Sequence, residues 1–122
     1  MAKRQNDMAR LAELTRAAFQ VRQAKLQKKA EAEARLQHEI NKLDAARETV
    51  LQTLSLENGR TPAQITSHAV WLTWANRQRA GLNMALASAR AAAMQEREAA
   101  KMAFGRDQVA QKLLVKKIGS RL

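Results

Sequence analysis

The stretch "LSLENGRTPAQITSHAVWLTW", Leu54 to Trp74, decides the fold. It contains the only proline, one of just four glycines and both tryptophans of a 122-residue chain. Asn58-Gly59 is a stop signal, because both residues tolerate the left-handed conformation that ends helices. The restart follows at once. Thr61 can cap, Pro62 suits a first helical position, and Gln64 stands three residues after Thr61, as a capping box requires. Asn-Gly also marks β-hairpins, but its flanks here lack alternating β-branched residues.

Outward from this break, residues 3 to 56 hold no Gly and no Pro. Phe19, Leu26, Ile40 and Leu54 recur at multiples of seven, with Leu36, Leu43 and Val50 as a companion row, giving an a/d seam. Arg22, Lys29 and Glu33 interrupt it toward the N-terminus. There Met8, Leu11, Leu14, Ala18 and Val21 predict a second apolar stripe in a shifted register, as a stutter would produce. Glu31 with Arg35 and Glu39 with Lys42 have the spacing of helix-neighbour ion pairs. Beyond the turn, Ile65, Leu72, Leu86, Ala93, Ala100 and Leu114 form a seam, with Leu82, Ala89, Ala103 and Ala110 as the offset row.

The pattern therefore predicts an all-α fold, a long antiparallel two-helix coiled-coil hairpin forming a single domain over 1–122. Helix 1 is expected at about 3–56, the turn at 57–61 and helix 2 at about 62–117, each arm roughly 80 Å long at 1.5 Å per residue. A turn centred there sets Leu54 near Ile65, Leu36 near Leu82 or Leu86, and Phe19 opposite Ala100 and Ala103. Met8 and Leu11 then approach Val109 and Leu113.

Composition agrees with this reading. Apolar residues make up 46%, much of it alanine, and only Phe19, Phe104, Trp71 and Trp74 are aromatic. This is helix-rod composition, too poor in large side chains for a thick core. Without cysteine there are no disulfides or thiolate metal sites, which suits a reducing cytoplasm. The opening "MAKRQNDMARLAEL" lacks the apolar core of a secretory signal, and no run approaches the ~20 apolar residues of a membrane span. A soluble, cytoplasmic protein is expected.

The net charge of +11 comes from 22 basic and 11 acidic residues. Residues 1–57 carry 11 basic and 8 acidic, net +3; residues 58–122 carry 11 and 3, net +8. Such a surplus favours acidic partners. The basic residues are spread along the chain without interleaved aromatics, so a solvated rod surface is preferred over a nucleic-acid face. A basic coiled-coil scaffold or a nucleic-acid-associated protein is the alternative reading. No catalytic constellation is present. His38 and His68 lie on opposite arms and read as polar surface histidines; Glu96 and Glu98 point to different helix faces. Neither an enzyme, a small-molecule substrate nor a cofactor or metal site is expected. Trp71 and Trp74 flank seam residue Leu72; Trp71 is expected partly buried, and Trp74 more exposed as an anchor for a partner.

The post-turn segment "TPAQITSHAVWLTWANRQRAGL" is similar to the segment that opens the second helix in flagellar members of the FliJ family of type III export proteins. The C-terminal "KMAFGRDQVAQKLLVKK" resembles the basic, aromatic-bearing end of that helix. With the length and two long helices, the resemblance to FliJ, and to the YscO group of injectisomes, spans essentially the whole chain. Family members often carry tyrosines on the first helix, and this chain has none. The resemblance implies a coiled-coil stalk that binds a hexameric export ATPase, contacts the export-gate membrane protein and escorts export chaperones. It implies a cytoplasmic protein peripherally associated with the inner-membrane export apparatus. By the same resemblance, Met8, Leu11, Arg106, Val109, Lys112 and Leu113 would meet the ATPase. Leu43, Arg47, Val50, Trp71, Leu72 and Trp74 would meet the gate.

Overall fold

A computed structural model describes residues 2–56 and 61–119. Two helices, α1 (Ala2–Ser55) and α2 (Pro62–Gly119), pack against each other as an all-α hairpin, with no strand among the described residues. The Asn58-Gly59 stop lies outside the described residues. The restart is built as the sequence predicts. Gln64 N donates to Thr61 Oγ1 at 3.2 Å and Thr61 N donates to Gln64 Oε1 at 3.1 Å, a reciprocal capping box. Ile65 N then reaches Thr61 O at 3.2 Å. At the far end of α2, Lys116 and Lys117 stand in the last turn, where cations favour the helix dipole.

Contacts between the arms divide the chain into a terminal unit, Met1–Ala30 with Ala91–Leu122, and a turn unit, Glu31–Arg90. The seam of the terminal unit is mostly alanine. Ala12, Ala93, Ala100, Ala103 and Ala110 are buried, and Phe19 lies half-buried with its ring 5.2 Å from Phe104. Small side chains let two backbones approach closely but bring little apolar area. The larger core side chains are in the turn unit, where Ile40 is 3% and Leu86 5% exposed. Burying either contributes about 1.5–3 kcal/mol.

Three readings of the sequence are corrected. The first is the shifted stripe. Along the terminal part of α1 Gln5, Met8, Ala12, Thr15 and Phe19 are half-buried or buried at positions that continue the downstream heptad without a stutter, with half-buried Ala9 beside them. Leu11, Leu14, Ala18 and Val21 are exposed. An apolar stripe one position off the seam imitates a register change, and the true seam is concealed because small or polar residues, Ala12 and Thr15, occupy it.

The second correction is the register beside the turn. Thr15 and Arg16 meet Asp107 and Phe19 meets Phe104 in the terminal unit; Glu33 meets Arg90 and Asp44 meets Arg79 in the turn unit. These contacts keep the expected levels of Phe19 with Ala103, of Leu36 with Leu86 and of Leu11 with Val109 and Leu113 to within about a residue, and depart by about one helical turn only from the expected pairing of Leu54 with Ile65. Ile65 then falls level with residues past the end of α1, and it is 49% exposed instead of seated in the seam. Polar cross-arm pairs accompany this register in both units.

Those pairs occupy heptad positions that an apolar count passes over. Arg79, Glu96 and Asp107 all lie on the α2 seam rows. Arg79 Nε donates to Asp44 Oδ1 at 2.7 Å, and Arg90 Nε donates to Glu33 Oε1 at 3.3 Å. Arg22 Nη1 stands 3.7 Å from Glu96 Oε2, an ion contact beyond hydrogen-bond reach. The third correction concerns the histidines. His38 is exposed, but His68 is half-buried on the seam and its Nδ1 has no hydrogen-bond partner.

Candidate interaction surfaces

In the terminal unit, heptad geometry leaves one side of each arm apolar and uncovered. On α1 this side carries Leu11, Leu14 and Val21, which are 44%, 62% and 54% exposed; on α2 it carries Met102, Val109 and Leu113. Between them lies an open groove of about 440 Å³, lined by Leu11, Gly105, Arg106, Val109, Ala110 and Leu113, with Thr15 at its edge. A Cβ built on Gly105 would meet nothing within 4 Å. The glycine therefore leaves a notch that no neighbouring side chain fills.

Four of the six residues expected at an ATPase surface, Leu11, Arg106, Val109 and Leu113, converge on this groove. Met8 does not. It lines a neighbouring cleft with Leu11, Arg4, Asp7 and Lys117. Lys112 lies on a third, shallower surface with Gln111, Val115 and Lys116. The sequence marks Ala110 only as a seam residue and gives Gly105 no site role, because neither brings chemistry of its own. Their signal is positional: they adjoin Val109 and Leu113 on one helix face.

Under the groove Asp107 is the buried charged residue of the described core, 4% exposed. Its Oδ1 accepts from Thr15 Oγ1 and from Gln111 Nε2, each at 3.1 Å, and its Oδ2 accepts from Arg16 Nε at 2.9 Å. Gln111 Nε2 also donates to the carbonyl of Ala12 at 3.1 Å. Burial alone would raise the carboxyl's pKa. The hydrogen bonds from Gln111, Thr15 and Arg16, with the Arg16 charge, outweigh it and hold Asp107 below its ordinary value of 3.8.

The turn unit carries the second surface. Leu43, Trp71 and Trp74 line a groove of about 410 Å³ together with Lys42, Gln78 and Leu82. The two indoles are tilted at 44° with centroids 6.1 Å apart, a favourable aromatic geometry. Trp74 is 51% exposed and Trp71 is half-buried, the order expected from their positions about Leu72. Arg47, Val50 and Leu72, placed with them in the sequence reading, are half-buried and do not line this groove. Arg47 Nε is buried without a hydrogen-bond partner, while its charge helps to lower Asp44. The Arg79 hydrogen bond is the larger cause of that lowering.

Among the described residues no group of three or more His, Cys, Asp or Glu could hold a metal ion, and no helix is long and apolar enough to cross a membrane. No protein-family model, curated protein or solved structure matches the chain.

Proposed function

We propose that the chain is a two-helix stalk of a bacterial type III export apparatus, flagellar or injectisome. In this reading the terminal unit docks on a hexameric export ATPase. The turn unit meets the export gate, and export chaperones are further partners. The observation that carries the proposal is the convergence of Leu11, Arg106, Val109 and Leu113, the residues that the FliJ resemblance assigns to the ATPase, on one uncovered groove. The exposed Trp74 beside Trp71 supports a second docking surface in the turn unit, since aromatics are enriched in binding hot spots.

The stalk itself hydrolyses nothing; the catalytic chemistry belongs to the ATPase, and the stalk contributes shape and contact. Titrating the chain into the purified export ATPase of the same organism tests the reading, with ATP hydrolysis as readout. Stimulation that Leu11→Glu and Val109→Glu abolish is the expected result.

The alternative, a nucleic-acid-associated coiled coil, is favoured by one observation. By sequence count the terminal unit holds 15 basic and 5 acidic residues, net +10, against 7 and 6, net +1, in the turn unit. Tight DNA binding with a steep salt slope, and no effect on the ATPase, would support that reading over the stalk.

A further inference from the structure

We infer that the groove of the terminal unit seats an amphipathic helix of a partner protein, one whose apolar stripe is flanked by acidic residues. This rests on the stalk reading only in assigning a protein partner to this unit. The groove runs between two parallel-sided helices, with Gly105 and Ala110 at its floor and Leu11, Val109 and Leu113 as its walls. Such a shape receives the knobs of a third helix, as coiled-coil holes do.

Charge selects the occupant. Among the described residues, Arg106 on the groove wall and Lys112 and Lys116 beside it form no ion pair, while the two most enclosed acids of the unit, Glu96 and Asp107, already face Arg22 and Arg16. These three cations are exposed, and an acidic flank on the incoming helix complements them. A second copy of this chain would oppose one net +10 unit to another, which is repulsive at moderate salt. A nucleic acid would leave the apolar walls uncovered, and no aromatic lines the groove as a stacking platform. An anionic membrane binds helices with one continuous apolar face and a basic opposite face, whereas here the apolar residues line a groove between two helices.

The test uses the full chain and labelled synthetic peptides of about 20 residues, long enough to become helical. One carries leucines at a/d spacing flanked by glutamates. A second has the same composition with the leucines scattered round the helix, and a third has lysines in place of the glutamates. Saturable binding of the first peptide only is expected, weakened about tenfold or more by Arg106→Glu and by Gly105→Met, which fills the notch. A Cβ at position 105 meets nothing within 4 Å and Arg106 is exposed, so circular dichroism should show unchanged helicity; Arg106→Glu keeps the test independent of packing.

Equal binding of the scrambled peptide, or no effect of either substitution, overturns the inference. So does a dimer in sedimentation equilibrium that Gly105→Met dissociates, or binding to phosphatidylserine vesicles that the acidic peptide does not displace. An export ATPase that binds the chain when the peptide does not would defeat the helix proposal and leave the stalk standing. Peptide binding at the groove without ATPase binding would do the reverse.

Discussion

Asp107 shows how one polar side chain can govern a weak seam. It is buried among alanines and held ionised by Thr15, Arg16 and Gln111. Its folded-state pKa is depressed, so its contribution to stability is complete above the unfolded value near 3.8 and is lost as pH falls through the folded value. Thermal midpoints measured from pH 6 to pH 2 should therefore fall in acid, and Asp107→Asn should flatten part of that fall. A wild-type acid slope retained in full by Asp107→Asn would show that other carboxylates cause it. Asp44, lowered chiefly by the Arg79 hydrogen bond, adds acid sensitivity of the same sign in the turn unit. The tryptophans separate stability from binding. Trp71→Ala removes half-buried aromatic area and should cost about 1–2 kcal/mol of stability. Trp74→Ala should leave the midpoint nearly unchanged and weaken gate binding by about 1–2 kcal/mol, as truncation of an exposed anchor does. Unfolding by Trp74→Ala with partner affinity intact would make both indoles packing residues.

At the scale of the elements, the start of α2 was the most legible feature, because capping chemistry is local. Thr61, Pro62 and Gln64 are read directly from the sequence and form the bonds expected of them. Thr61→Ala should lower stability by about 1 kcal/mol, measured by urea unfolding. Packing was less legible. The seam rows of α2 were read correctly at Leu72, Leu82, Leu86 and the alanines, but Arg79, Glu96 and Asp107 were passed over. A search for apolar periodicity discards the polar members of a seam even when they are its most specific contacts. In α1 the reverse holds: the spacing of Leu11, Leu14 and Val21 predicts a packed stripe, and all three are exposed. Apolar residues at helical spacing need not face the other arm. Gly105 offers a test at this scale. Its backbone is helical and its surroundings are open. Gly105→Ala should therefore stabilise the chain by up to about 1 kcal/mol. Destabilisation instead would show that the notch is needed for packing within the unit.

For the whole molecule, sequence symmetry sufficed for the hairpin, since two glycine-poor arms of similar length about one capped break have few other ways to bury a common seam. It sufficed for the register along most of the arms, where Phe19 meets Phe104 and Leu11 shares a groove with Val109 and Leu113, but not beside the turn, where Ile65 is exposed. Nor did a division of charge at the turn find the real asymmetry. Nearly all the surplus charge belongs to the terminal unit, which draws on both ends of the chain. That unit joins net charge +10 to an uncovered apolar groove, and the turn unit joins near-neutrality to an exposed indole. In the proposed stalk, these two surfaces of different chemistry are assigned to two different partners. The most direct measurement of this claim is the steady-state ATP hydrolysis rate of the organism's hexameric export ATPase as the full-length chain is titrated in. The account predicts a saturable rise in rate that Leu11→Glu and Val109→Glu abolish and Trp74→Ala leaves intact. A rate that stays flat at saturating chain, or rises equally with both groove variants, would contradict it.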